Sequence, residues 1–288
     1  MMELIPGVLN WSYHRLFRDH WDKGLDVYID KVATLATRYS FSPMSITIGV
    51  GGDQNQLAQH DRAYVETIKQ RLDTAGLVPV PILGNLEIHA EPQVVRKSLE
   101  QMKSSLEIAS WWSTKVSTYN ISVHGRLTRG AAVRVYTEAL ALFADSAREY
   151  GQQVCSENYN QLTSTELLAV VEGTGRPNVG ILNDVGNWLI LGEDPLDVTR
   201  HLASRTIHAH LKDYLLRDGV WNSVPLGRGI VPLPEILTVL ADIAGDGPLV
   251  MALETDLDSG DEDAALNSSA SYIRQWLDTA GHGVAGRA

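Results

Sequence analysis

Four short apolar runs in the second half of this chain each carry, at or near their C-terminal end, a side chain that can bind a cation or move a proton. Gln153–Glu157 ends in Glu157, followed by Asn158, and Val179–Asp184 ends in Asp184. Thr206–Leu211 carries His208 and His210 and is followed by Lys212 and Asp213, and Leu249–Glu254 ends in Glu254. Two glutamates, one aspartate and one histidine brought together make a mixed oxygen and nitrogen donor set for one divalent cation. Carboxylates favour Mg²⁺ or Mn²⁺, and a single imidazole shifts the preference toward Mn²⁺, Co²⁺ or Zn²⁺. Without a cation, three carboxylates aimed at one spot repel each other and take up protons. Each residue taken singly has a plainer use. A strand-end carboxylate caps a helix or pairs with a lysine, and Asp184 before Val185-Gly186-Asn187 can simply stabilise a turn.

Such residues need a scaffold that points them at one place. The apolar runs predict strands at Leu4–Asn10, Ser45–Val50, Val78–Leu83, Ser117–Val123, Gln153–Glu157, Val179–Asp184, Thr206–Leu211 and Leu249–Glu254. They are short and several are rich in Val and Ile, as parallel strands covered on both faces are. Amphipathic stretches predict helices at Leu25–Tyr39, Arg62–Ala75, Gln93–Trp112, Ala131–Tyr150, Ser164–Glu172, Pro195–Ala203, Pro234–Ile243 and Asp263–Thr279. Eight strand–helix pairs in one line read as an α/β protein, a (β/α)8 TIM barrel over residues 1–281, with the Gly- and Ala-rich 282–288 as a flexible tail. The 288 residues suit one such domain. A doubly wound sheet is the alternative, but no Gly-x-Gly-x-x-Gly follows the first strand. In a barrel, active sites sit at the C-terminal ends of the strands, where the four polar residues fall.

Composition narrows the function. With 24 Lys+Arg against 35 Asp+Glu, the net charge of -11 argues against a nucleic-acid partner. No run approaches the ~18 apolar residues of a membrane helix. One cysteine, Cys155, excludes an internal disulfide and a multi-cysteine zinc site. The first residues, MMELIPGVLNWSYH, do not pair a basic region with an apolar core, so a cytoplasmic protein is expected.

The motifs resemble those of the sugar isomerase/epimerase branch of the xylose-isomerase-like TIM barrels, which includes ketose 3-epimerases, inosose dehydratases and hydroxypyruvate isomerases. The resemblance rests on Glu157-Asn158, Asp184-Val185-Gly186-Asn187, His210-Leu211-Lys212-Asp213, Gly227-Arg228-Gly229 and Glu254, in that order. It implies that Glu157, Asp184, His210 and Glu254 ligate one divalent ion, Mn²⁺, Mg²⁺ or Co²⁺ ahead of Zn²⁺. It also implies that Glu157 and Glu254 act as acid and base on opposite faces of a small carbohydrate or keto-sugar. The chemistry is coherent: a cation gripping a carbonyl and its neighbouring hydroxyl stabilises the enediolate left by proton removal. Many relatives carry a histidine where this chain has Asn187. An amide binds a sugar hydroxyl but does not titrate, which keeps a lyase on a 3-oxo sugar or sugar acid as the alternative. In the related endonuclease IV pattern a histidine follows Asp-x-Gly and an Asp-x-His follows strand seven. Asn187 and Gly219-Val220-Trp221-Asn222 depart from both.

Further substrate-binding candidates lie after other strands. They are Trp11, whose ring suits the apolar face of a sugar, His89, His124, Lys212, and the arginines Arg126 and Arg217. Each has a structural alternative in core packing, helix entry or plain exposure. His208, two residues before His210, is expected one layer deeper as a support, and Cys155 beneath Glu157 as an inert buried thiol. A homo-oligomer or a partner subunit is compatible with all of this.

Overall fold

The computed structural model describes residues 4–19, 24–48, 57, 61–124, 127–158, 161–244, 248–257 and 260–280. Arg126 and the tail 282–288 lie outside them, as do the last two residues of the second expected strand.

The barrel strands are β1 (Leu4–Val8), β2 (Pro43–Thr47), β3 (Val78–Ile88), β4 (Val116–Val123), β5 (Gln153–Glu157), β6 (Val179–Asp184), β7 (Thr206–Leu211) and β10 (Leu249–Leu253). All pair in parallel and close in the order β1-β10-β7-β6-β5-β4-β3-β2. Around them run α2 (Gly24–Tyr39), α3 (Arg62–Ala75), α4 (Pro92–Trp111), α5 (Arg129–Glu149), α6 (Ser164–Gly173), α7 (Pro195–Leu202), α8 (Leu233–Ile243) and α9 (Glu262–Thr279). Several helices start where a side chain satisfies free N–H groups. Asp61 accepts from Tyr64 N, and Thr163 and Glu166 form a reciprocal capping box. Apolar faces such as Val65, Ile68 and Leu72 of α3 bury against the strands. Among the described residues no helix is long and apolar enough to cross a membrane.

Three features depart from the expected plan. A short helix, α1 (His14–Asp19), follows a 3-10 turn after β1. Strand β3 runs on to Ile88 rather than stopping at Leu83. Gly84, with φ of 110°, absorbs a register shift between Ile82 and Asn85, so the glycine marks a bulge and not a strand end. Third, a hairpin of β8 (Asp213–Arg217) and β9 (Val220–Val224) stands between β7 and α8. Asp218-Gly219 turns it, with φ of 49° and 77°, the two positive angles that an Asp-Gly hairpin turn requires.

Asp213 holds the base of that hairpin. Its buried carboxylate accepts from the N–H groups of Tyr214, Gly227, Gly229 and Val231 at 2.7 to 3.1 Å. A Cβ on Gly229 would stand 2.1 Å from Asp213 Oδ1, so only glycine brings that N–H close enough. The Lys-Asp and Gly-Arg-Gly motifs are thus two halves of one anchor.

Candidate metal centre

The register of the strands collects the four residues. Asp184 pairs with His210 across β6 and β7, and Ala252 of β10 pairs with His210 from the other side. Glu254 lies two residues beyond Ala252, and Glu157 pairs with Leu182, two residues before Asp184. Alternation along a strand therefore turns all four toward the barrel interior. One ligand atom from each of Glu157, Asp184, His210 and Glu254 lies within 4.8 Å of the others. His210 Nδ1 is 3.3 Å from Glu254 Oε2 and 3.7 Å from Glu157 Oε1.

Hydrogen bonding gives the oxygens different roles. Asp184 Oδ1 accepts from Gly186 N at 3.0 Å and Asn187 N at 3.3 Å, while Asp184 Oδ2 is buried with no partner. The aspartate both stabilises its turn and presents an oxygen to the site. Lys212 Nζ donates to Glu254 Oε1 at 2.5 Å, leaving Glu254 Oε2 without a hydrogen bond, as is His210 Nδ1. Buried polar atoms are almost always satisfied. Three unsatisfied atoms converging from three strands, with an oxygen of Glu157 beside them, fit a divalent cation. Asn158 ties the base of the site, its amide exchanging hydrogen bonds with Asp184 N at 2.8 Å and Asp184 O at 3.1 Å. Gly186 is there because Lys212 passes over it: an added Cβ would meet the Lys212 Cβ at 3.0 Å and its carbonyl oxygen at 3.1 Å.

The charges are strongly coupled. Burial, then Glu254, raises the Asp184 carboxyl well above the usual range. Burial alone lowers the His210 imidazole, but the Glu157 and Glu254 carboxylates outweigh it and carry it up to about 10. Burial raises Glu254, yet Lys212 and His210 hold it down at about 2. In the metal-free protein His210 therefore keeps its proton up to about pH 10. A cation must displace that proton and any that the raised Asp184 carboxyl retains, so binding is expected to release at least about one proton near neutral pH and to tighten as pH rises. Titration calorimetry with Mn²⁺ in buffers of different ionisation enthalpy reads the release. A buffer-independent heat overturns it.

The site opens into a cavity of about 330 Å³ at the C-terminal mouth of the barrel. Glu157, His210, Lys212, Glu254 and Asp256 form its charged flank, and Asn85, Thr118, Asn120 and Ser122 of β3 and β4 a neutral polar one. Of the further candidates, Trp11, Asn187 and Lys212 line it. Trp11 is stacked on His14 at 5.6 Å. His89, His124 and Arg217 are not among its lining residues. The His89 Nδ1 accepts from Glu91 N at 3.0 Å at the entry to α4. His124 is exposed and pairs with Glu87 at 3.0 Å, and Arg217 is exposed near the hairpin tip. His208 is buried one layer below, its ring 5.5 Å from that of His210, and burial lowers its imidazole well below the usual range. Cys155 is fully buried, and burial raises its thiol. Sequence reasoning missed Tyr214 and Asp256, both in the cavity wall. The Asp-Gly turn was the signal for the hairpin that carries Tyr214.

The profile of the xylose isomerase-like TIM barrel family matches residues 44–276. Inosose dehydratase from Bacillus anthracis is 28% identical over 111 residues, 33% of this chain and 37% of that protein. The chain spans only 54% and 29% of the lengths of two further curated relatives that it matches. Among solved structures, D-psicose 3-epimerase with D-tagatose from Clostridium cellulolyticum H10 superposes with a TM-score of 0.68 at 17% identity, over 96% of this chain and 98% of that one. The IolI protein with a bound zinc atom superposes with a TM-score of 0.73 at 14% identity, over the same shares. At such identities the likeness is one of fold. The family match, spanning most of the barrel and all four clustered residues, shows that this chain belongs to the xylose isomerase-like TIM barrel family.

Proposed function

We propose that the protein is a divalent-metal-dependent enzyme that moves a proton next to the carbonyl of a small carbohydrate or keto-sugar, as an isomerase or epimerase. The observation that carries this reading is the convergence of the unsatisfied Asp184 Oδ2, His210 Nδ1 and Glu254 Oε2 beside Glu157. Glu157, Asp184, His210 and Glu254 would hold the cation, with Mn²⁺, Mg²⁺ or Co²⁺ favoured over Zn²⁺ by three carboxylates to one imidazole. Once bound, it supplies a Lewis acid for the carbonyl oxygen. Glu157 and Glu254 take and return the proton, and Lys212, Asn187 and Trp11 contact substrate. The amides and hydroxyls of Asn85, Asn120, Thr118 and Ser122 suit a polyol.

A lyase on an oxidised sugar is the second reading, and a specific residue supports it. The Asn187 amide beside Glu157 does not titrate, so the glutamates are left to move protons, and in a dehydration the second proton would go to the departing hydroxyl instead of back to carbon. The similarity to an inosose dehydratase points the same way.

The test is a panel of keto-sugars, inososes and 3-oxo sugar acids in D₂O with chelated and Mn²⁺-reloaded protein, followed by NMR. Deuterium next to the carbonyl with a new epimer or isomer, lost in chelator, supports the first reading. Loss of water or carbon dioxide supports the second. Activity undiminished in metal-free protein overturns both.

A further inference from the structure

Tyr214 touches the supports of both glutamates. It is nearly buried, lines the cavity and belongs to the hairpin rather than to the barrel. On one side lies the Asn187 amide, whose Nδ2 faces Glu157 Oε1 at 3.5 Å and the Asn158 carbonyl at 3.3 Å. Both are acceptors only, so the NH₂ group must face them and Oδ1 must face Tyr214. The Tyr214 hydroxyl is then the donor, at 3.3 Å. On the other side the Lys212 ammonium, which holds Glu254 Oε1, lies 5.5 Å from the centre of the Tyr214 ring. The ring itself is wedged in place. A Cβ on Gly186 would come within 3.1 Å of it, Trp221 packs on it edge-on at 6.3 Å, and the Tyr214 backbone is pinned through Asp213 and Ile230.

We infer that Tyr214 is the positioning residue shared by the two carboxylates. Its hydroxyl sets the Asn187 amide against Glu157, and its ring seats the Lys212 ammonium against Glu254. The inference rests on the metal reading of the four-residue cluster. It also gives the hairpin a role, which is to insert one aromatic side chain between the two supports.

The two contacts separate by substitution. Tyr214→Phe keeps the ring and removes only the hydroxyl, Asn187→Ala removes the amide, and Tyr214→Leu removes hydroxyl and ring together. Affinity for Mn²⁺, measured by calorimetry on the whole chain, is the readout, because outer partners of metal ligands typically govern it by about 10–100-fold. Tyr214→Phe and Asn187→Ala are each expected to weaken Mn²⁺ about 10-fold, at the low end of that range. The double variant should be no weaker than the worse single one, since both break the same link. Tyr214→Leu should approach the 100-fold end. Tyr214→Phe within twofold of the wild type overturns the inference, as do single effects that multiply in the double variant. A general loss of stability lowers the melting temperature without producing that non-multiplying pattern. Should Tyr214→Leu not fold, the Phe and Ala cycle decides alone. A wild-type chain that takes up no Mn²⁺ overturns the metal reading and this inference with it. An unchanged Tyr214→Phe in a chain that does bind Mn²⁺ overturns only the inference.

Discussion

Glu157→Gln is expected to lose about 10²–10⁴-fold in turnover, the usual contribution of a general base, with the barrel intact. The two glutamates share the site but not their surroundings. Glu254 has 4% of its side chain exposed and one oxygen held by Lys212 at 2.5 Å, whereas the Glu157 side chain is 12% exposed and, among the described residues, no ammonium holds it. Glu157 thus has the carboxylate edge that is freer to reach substrate in the cavity. Its glutamine variant should stop wash-in of solvent deuterium next to the carbonyl. Glu254→Gln should still exchange while forming little product. Metal content is measured on both variants first, because Gln keeps one oxygen ligand but not the charge. Wild-type turnover in both overturns the two-carboxylate mechanism. Loss of metal from both assigns the glutamates to ligation ahead of proton transfer.

The four clustered residues were legible because each sits on an apolar run, where a period of two fixes which face a side chain takes. The run's polar end then coincides with the barrel mouth. Position along the barrel axis needed no knowledge of register, since β6, β7 and β10 all finish at the same level. Residues beyond strand ends had no such rule. His89 and Trp11 both follow a strand closely, yet His89 folds back to accept from Glu91 N while Trp11 lines the cavity. Only backbone direction in the loop separates them. The glycines were legible as motif but not as cause: Gly186 makes room for Lys212, and Gly229 for the Asp213 carboxylate. The third strand was expected to stop at Leu83, just before Gly84, and a bulge and a strand end share the same residue preference. Tyr214 was hidden for a different reason. Its importance lies in contacts to Asn187 and Lys212, which belong to different motifs, and no spacing within either motif points to it.

His210→Ala is expected to weaken Mn²⁺ binding by more than about 100-fold, beyond what outer partners alone contribute. The imidazole has two roles, and the substitution removes both. A bound metal would take its Nδ1 as the one nitrogen beside three carboxylates. Without metal, its retained proton is the cation between Glu157 and Glu254, 3.7 and 3.3 Å away. Its removal leaves Lys212, among the described residues, as the cation against Glu157, Asp184 and Glu254, and the carboxylates answer by holding protons to higher pH. Each such proton must leave before a cation enters. The variant should therefore release its protons on Mn²⁺ binding from carboxyl groups instead of imidazole. Carboxyl protons carry a much smaller ionisation enthalpy, so the intrinsic binding heat should shift along with the affinity. Val179, Ile181, Leu211 and Leu253 stay buried on the other face of the same strands, so the chain should fold. Circular dichroism checks that directly. Undiminished Mn²⁺ affinity in the folded variant would remove His210 from the ligand set and leave the three carboxylates as the whole donor set.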